Sequence, residues 1–437
     1  MPDPQTPTLA IIGGGASGTL VAVHALARAR TPLRVVLIEP RAEIGRGVAY
    51  GTPDAAHRLN VPAGKMSAFP DVPDDFQTWL QAGPMPDATL ATFAPRGLYG
   101  HYLAETLRRS SQDATPGVTL RRVRDTAIAV EPSGAVHLAS GETLQATRVV
   151  LALGQTTGGS LPALDGLPPS LVVADPWAPG ALAGVRGHVL LVGTGLTMLD
   201  VALTLAAAGV GSMTAVSRRG LVPHGHAAAG TPPAALPAVQ SLSETLRAVR
   251  TSASRDWRAA IDALRPATPA RWAAFTEAER RSALWHLRPY WDIHRHRAAP
   301  DVAAEIAALR ASGRLAVLAG RVAHAEATAD GALVRIGRRG GGEVSVAANH
   351  IVLCTGARPA WDTPVVAGLV AAGAARRDAL GLGVETDADG ALVGADGGAS
   401  EVLFTLGPLR QGTLWETTAV PEIRAQAAAL AARLVTA

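Results

Sequence analysis

Gly13, Gly15 and Gly18 follow the apolar run Leu9 to Ile12 at the spacing G-x-G-x-x-G. Each glycine has its own task at a phosphate. Gly13 permits a tight turn, Gly15 lets the backbone approach a pyrophosphate, and Gly18 lets the next helix pack closely on its strand. Ala16 and Ser17 complete the first helical turn, whose free N–H groups and positive dipole end face the phosphates. The strand-like RVVLIE ends on Glu39, 21 positions after Gly18, where a carboxylate can accept from a ribose 2′-OH.

The same order recurs as HVLLVGTGLTMLDVALTLAAAGVGSMTAVSRRG. Gly193 and Gly195 form the turn, and Leu196 and Thr197 open the helix. Met198 stands where a third glycine would be, so this helix is expected to pack less closely on its strand. At the ribose position Ser217, Arg218 and Arg219 replace an acid. An arginine pair there can hold a 2′-phosphate, a contact worth roughly 1.5–3 kcal/mol. That predicts an about 10- to 100-fold preference for NADPH over NADH.

Behind each turn the pattern predicts the same supporting elements. Residues 118–147 and 314–349 read as three-stranded meanders, with turns at Ser133-Gly134 and at Gly340 to Gly342. Each leads to a strand that ends in small residues: RVVLALGQ with Gly154, and HIVLCTGARP with Gly356. The expected fold is α/β, with two Rossmann-like, three-layer ββα dinucleotide-binding domains and a helical insertion at about 225–300 in the second.

Composition limits what such a chain can do. Its 437 residues can bury two or three domain-sized cores, and 48% hydrophobic residues exclude a disordered chain. The lone cysteine, Cys354, excludes an internal disulfide and dithiol redox chemistry within one chain. It suits a reducing cytoplasm, and its place in the apolar strand IVLCTG is that of a small buried hydrophobe. The 40 basic and 36 acidic residues leave a formal charge of only +4, which argues no nucleic-acid surface. MPDPQTPTLAIIGGG has no basic leader, and glycines with Asp200 interrupt the most apolar stretch, so neither a signal peptide nor a membrane span is expected.

The sequence resembles the two-dinucleotide-binding-domain flavoproteins, whose first unit binds FAD and whose second binds NAD(P)H. More narrowly, it is similar to the FAD/NAD(P)-binding protein family that includes Escherichia coli YdhS. The phrases that carry this are GRGVAYGTPDAAHRLNVPAGKMSAFPDVPDDFQTWL, PRGLYGHYL, GTGLTMLDVAL, VSRRGLVPHGH, HLRPYWDIHRHRAAP and GPLRQGTLWETTAVPEIRAQA. Some relatives resemble bacterial flavin monooxygenases that N-hydroxylate amino acids. The resemblance implies a discontinuous FAD domain, residues 1–168 with 359–437, and an NAD(P)H domain, residues 169–358.

It also implies that the last part of the chain covers the flavin. EVLFTLG reads as a strand ending at Gly407, and the helix that starts near Thr417, Thr418 and Ala419 carries Pro421 in its first turn. A helix N-terminus aimed at the flavin pyrimidine would stabilise the negative charge that develops there on reduction, a role given to the backbone at Thr418 and Ala419. The turn-rich yet apolar segment from Asn60 to Ser67 is placed by the resemblance near the isoalloxazine. It holds Lys65, the only lysine, which can pair with a substrate carboxylate or hydrogen bond at flavin N5; equally, it can be an ordinary loop residue.

The insertion opens with AAAGTPPAALPAV and carries Trp257, Trp272, Trp285 and Trp291, which either select a substrate or form a small core. Its segment from Arg288 to Arg297 combines cations with Tyr290 and Trp291 and reads as an anion site or as a solvated basic turn, the two aromatics favouring the anion site. His294 and His296 have ligand spacing, and His224 and His226 could join them, but no nearby carboxylate supports a metal and none is assigned. No Gly-x-Ser-x-Gly elbow is present, so hydrolase chemistry is not expected.

The expected cofactors are therefore FAD and NADPH, with a small-molecule substrate. NADPH reduces the flavin, and oxygen takes the electrons with hydroxylation of a small amine or amino acid. Two other readings stay open: a reductase serving a protein or quinone, and a non-catalytic sensor of the NADP redox state.

Overall fold

The computed structural model describes residues 6–227, 236, 237, 239, 241–254 and 256–436. The first fingerprint is built as read. Strand β1 (Thr8–Ile12) is wholly buried, helix α1 (Ala16–Arg28) returns over it, and β2 (Leu33–Ile38) runs parallel beside it. Continuous apolar runs of this kind belong to parallel strands covered on both faces. Two helices follow, α2 (Asp75–Gln81) and α3 (Arg96–Gln112), the second packing on α1.

Strand β3 (Val118–Val123) pairs in parallel with β2 and joins the main sheet. The separate meander is therefore shorter than 118–147: β4 (Ala127–Val130), β5 (Ala135–Leu138) and β6 (Thr143–Gln145), with the turn at Ser133-Gly134 where expected. The break has a cause. Asp125 accepts from the N–H of Thr126 and of Ser140, which turns the chain out of the sheet. Strand β7 (Arg148–Leu151) then pairs with β1, and β8 (Gln155–Thr156) leaves the sheet.

The second unit repeats the scheme. After the short β9 (Val172–Val173) come β10 (His188–Val192), α4 (Leu196–Ala207) and β11 (Ser212–Ser217). The insertion follows as α5 (Leu242–Ala253), α6 (Trp257–Ala274), α7 (Glu277–Ser282), a π-helical turn (Ala283–Leu287) and α8 (Arg288–Arg295). Its Ala/Pro-rich opening lies largely outside the described residues. Helix α9 (Pro300–Ala311) returns to the unit and buries Val302, Ile306 and Leu309 in the core that holds α4.

Strand β12 (Leu315–Thr328) is long enough to pair first with β11 and then with β13 (Gly331–Arg338), which pairs with β14 (Glu343–Ala348). Where the first unit breaks, β12 carries only a bulge between Val322 and His324. Strand β15 (His350–Leu353) pairs in parallel with β10 on one side and with β9 on the other.

Strand β16 (Arg358–Pro359) pairs antiparallel with β8, so the two connections between the sheets are clipped together. The tail returns to the first sheet. After α10 (Pro364–Ala371), β17 (Ala391–Val393) and β18 (Ala399–Thr405) complete the order β17-β18-β7-β1-β2-β3. The second sheet runs β14-β13-β12-β11-β10-β15-β9. A short α11 (Gln411–Leu414) precedes α12 (Val420–Thr436), which packs along α1. No helix among the described residues is long and apolar enough to cross a membrane.

Candidate functional site

At the first turn Gly13 has φ +104, and a Cβ there would run into the carbonyl oxygen of Ala152. A Cβ on Gly18 would run into the carbonyl oxygen of Gly13, so helix and strand meet at a distance only glycine allows. Glu39 is buried at the end of β2, where its carboxylate accepts from Gly14 N at 2.8 Å and from Arg41 N at 3.1 Å. Those bonds fix the acid beside the turn.

The loop after β2 contributes glycines that the fingerprint did not single out. Gly47 has φ +53 and lies against Gly15, where a Cβ would come 3.3 Å from the Gly15 Cα. Its signal was present in GRGVAYG, but a G-x-G without flanking strands does not by itself say what it approaches.

The second turn mirrors the first. Gly193 has φ +122 and faces the carbonyl of Cys354, whose thiol is buried and pushed up by that burial. Met198 is fully buried in the core beneath it. The Ser217 hydroxyl bonds the Thr194 hydroxyl at 2.8 Å and accepts from Gly220 N at 3.1 Å, so it shapes the turn. Arg218 is exposed, whereas Arg219 lies over the Tyr290 ring at 5.1 Å and donates to its hydroxyl at 3.2 Å. Gly154 and Gly356, each at positive φ, lie three residues beyond β7 and β15, on the exits that lead to the clipped connection.

The tail closes over the start of α1. A Cβ on Gly407 would come 3.2 Å from the Ser17 hydroxyl. Thr417 donates to the Gly407 carbonyl at 2.9 Å, while Gln426 donates to the Thr417 hydroxyl and accepts from Gly407 N. Thr418 and Ala419 follow at the N-terminus of α12, so Ser17, Gly407 and Thr417 to Ala419 converge. The loop from Asn60 to Phe69 is fixed at the same end. Arg424 of α12 donates to the Ser67 carbonyl, His24 of α1 to that of Ala68, and His226 of the second unit to that of Asn60. Lys65 ends a 3-10 turn there with its side chain exposed.

Between the two units lies a buried network. Arg96 donates to Asp200 of α4 at 2.8 Å and lies over Trp177 at 5.1 Å. His57 Nε2 lies 2.8 Å from the Thr204 hydroxyl, which donates to Asp54. Burial pushes Asp200 up against the opposing pull of Arg96, and burial pushes His57 down.

The segment from Arg288 to Arg297 corrects an expectation. Arg295 pairs with the buried Glu416 at 2.9 Å, and Arg297 pairs with Asp262. Both guanidiniums are neutralised inside the chain, so they do not form an anion site. His224 meets Trp257 at a tilt and His294 meets it edge-on, and the two imidazole centroids are 4.7 Å apart. His296 is held low, at about 3, by burial and three arginines.

The tryptophans separate as well. Trp285 is 70% exposed, whereas Trp257, Trp272 and Trp291 line a cavity of about 290 Å³ inside the insertion. Trp415 lines it too, from the tail. Its φ of 61° and ψ of −66°, with the Glu416 N–H donating to the Leu414 carbonyl at 2.8 Å, form a strained γ-turn. The turn seats its ring on Trp272, with centroids 5.0 Å apart.

Two observations test whether nucleotides fit. Gly15 and Gly195 stand at the N-caps of α1 and α4 and offer no side-chain cap, so the first-turn amides are left for an outside acceptor. A Cβ on Gly195 would project into open space and one on Gly15 would come 3.4 Å from the Gly47 Cα, so the room beside both helix starts depends on glycine.

A family model described as FAD-NAD(P)-binding matches residues 10–156. No curated protein sequence matches the chain. Among solved structures, ornithine N-hydroxylase from Kutzneria sp. 744 aligns over 99% of both chains at 15% identity with a TM-score of 0.64. L-lysine 6-monooxygenase from Pseudomonas syringae aligns over 98% of this chain and 99% of its own, at 16% identity and 0.68. The fold is that of the two-dinucleotide-binding-domain flavoproteins. It is shared more widely: a ferredoxin reductase of the CYP199A2 system from Rhodopseudomonas palustris aligns over 99% of this chain but 77% of its own, at 15% and 0.51.

Proposed function

We propose that the chain is an FAD- and NADPH-dependent oxidoreductase that hydroxylates a small amine or amino acid. One observation carries the reading: two uncapped glycine turns, with the tail folded over the first, stand in a chain that aligns end to end with an ornithine N-hydroxylase and an L-lysine 6-monooxygenase. The FAD domain is residues 1–168 with 359–437, and the NADPH domain is 169–358. The narrower likeness to the family of Escherichia coli YdhS rests on the long phrases quoted above.

FAD, when bound, supplies a two-electron carrier between NADPH and oxygen. Gly13, Gly15, Ala16, Ser17 and Gly18 hold its pyrophosphate, with Glu39 at its ribose. The amides near Thr418 and Ala419 stabilise negative charge at the pyrimidine end, and Asn60 and Lys65 lie on the loop beside the reacting ring. Gly193, Gly195, Leu196 and Thr197 take the second pyrophosphate, and Ser217, Arg218 and Arg219 form the 2′-phosphate end. Gly154, Gly356 and Gly407 keep the backbone close around both nucleotides.

The test has two parts. Arg218→Ala and Arg219→Ala should each raise KM for NADPH about tenfold and leave KM for NADH within about twofold; equal responses would remove the 2′-phosphate assignment. Stopped-flow mixing of the NADPH-reduced protein with oxygen, beside a mass-spectrometric screen of amines, should yield a hydroxylated product. Turnover with artificial acceptors but no such product would favour the reductase, in line with the ferredoxin reductase that shares the fold. Bound nucleotides without NADPH oxidation would favour a sensor.

A further inference from the structure

The cavity in the insertion has a wall and an anchor of different chemistry. Its wall is apolar: Leu246, Trp257, Leu264, Trp272, Leu284 and Trp415, from α5, α6, the π-helical turn and the tail. Flat rings and branched side chains of this kind take a flat apolar body, and about 290 Å³ is close to the range of small-molecule pockets. A π-helical turn in the wall is itself a frequent mark of a functional site.

The anchor is Arg271. It lines the cavity and is only 7% exposed. Its guanidinium donates to the Thr245 hydroxyl at 3.2 Å and to the Pro237 carbonyl at 2.7 Å, and its Nε has no partner. Among the described residues no carboxylate lies within ion-pairing distance. The remaining residues of the insertion, 228–235, 238, 240 and 255, are Ala, Gly, Thr, Pro, Gln and Arg, so their side chains include no acid. A buried guanidinium served by neutral acceptors alone is incomplete, because buried charges are stable when paired. Arg295 and Arg297, in the same insertion, each have a carboxylate.

We infer that this cavity binds a small carboxylic acid with a flat apolar body, its carboxylate on Arg271 and its body among Trp257, Trp272 and Trp415. The strained turn at Trp415 ties the site to the tail, because Glu416, Thr417 and the start of α12 follow directly. Taken as the acceptor substrate, the acid is an amino acid with a flat apolar side chain, and that assignment rests on the functional reading above. It distinguishes the chain from enzymes whose substrates carry a second charge at the far end, since among the described residues no carboxylate lines the cavity.

The experiment uses the full FAD-loaded chain, with tryptophan fluorescence and calorimetry as readouts. The probes are 3-phenylpropionate, its neutral counterpart 3-phenylpropan-1-ol, and L-ornithine. The unmodified protein should bind 3-phenylpropionate with quenching, and bind L-ornithine at least about tenfold more weakly. Arg271→Met should weaken 3-phenylpropionate about tenfold or more and leave the alcohol within about twofold, while Arg271→Lys recovers part of the loss. Leu284→Gln, on the partly exposed π-helical turn, should weaken both aromatic probes and keeps the test open if Arg271→Met does not fold. No binding of 3-phenylpropionate, equal loss of acid and alcohol in Arg271→Met, or equal affinity for L-ornithine would each overturn the site. Bleaching of flavin absorbance by NADPH is followed separately in the unmodified protein. Its absence would overturn the functional reading, whereas the titrations alone decide the site.

Discussion

Arg219 and His24 show how a neighbour sets what one side chain can do. Arg219 is held over Tyr290, so a residue of the insertion orients the cation that the functional reading gives to the 2′-phosphate. A cation over an aromatic face is worth about 0.5–1 kcal/mol at a partly exposed site, so Tyr290→Ala should raise KM for NADPH roughly two- to fivefold, less than Arg219→Ala. Steady-state kinetics with NADH as the control measures this, and an unchanged KM would mean that the stacking does not orient the arginine. His24 is buried on α1, and burial with the nearby Arg28 holds its pKa down to about 4. The folded chain therefore refuses a proton that the unfolded chain accepts near 6.5. The resulting stability is fully present above that value and is lost as pH falls from about 6.5 to about 4. At pH 5 the loss amounts to about 2 kcal/mol, so thermal melts from pH 7 to pH 5 should fall less for His24→Gln than for the unmodified chain. Parallel falls would remove His24 as the cause.

At the scale of elements, the two turns are the same device used twice, and they can be broken separately. Gly13 and Gly193 both sit at positive φ with a carbonyl where a Cβ would go, that of Ala152 in one unit and of Cys354 in the other. Gly13→Ala should yield protein with little bound FAD. Gly193→Ala should keep FAD near the unmodified content and weaken NADPH about tenfold or more, read by absorbance and calorimetry. Loss of FAD in both would show that the second turn also supports the first unit. These turns were legible in the sequence because their requirements are local: a strand, three or two glycines, a helix and a strand within about thirty residues. The extent of the first meander is not legible in the sequence, because β3 and β12 begin alike. Only the turn bonds of Asp125 against the bulge at Val322 and His324 decide whether the strand stops or continues. The pairing of Arg295 and Arg297 is hidden in the sequence because their partners, Glu416 and Asp262, lie 121 and 35 positions away.

Across the whole molecule, the contacts that join the units are the ones least visible in the chain, since Arg96 and Asp200 are 104 positions apart and His57 and Thr204 are 147 apart. Spacing alone assigns such residues no partner, and Asp200 read only as an interruption in an apolar stretch. In the structure it is the buried carboxylate of α4 that receives Arg96 from the start of α3, so the pair holds the second unit's helix against the first turn of a helix of the first unit. A buried pair of this kind adds little net stability, but losing one partner is costly because the other is left without compensation. Asp200→Asn should therefore destabilise the chain by about 3 kcal/mol in urea unfolding, near the lower end for a broken buried pair because Arg96 keeps some exposure. The double replacement Arg96→Met with Asp200→Leu should return to within about 1 kcal/mol of the unmodified chain. If the pair instead aligns the units, Asp200→Asn will also slow the reduction of bound FAD by NADPH at saturating concentration while FAD content is unchanged, and the double replacement will not restore that rate. Recovery of stability together with rate would assign the pair to packing alone; recovery of stability without rate would make it the element that sets one nucleotide against the other.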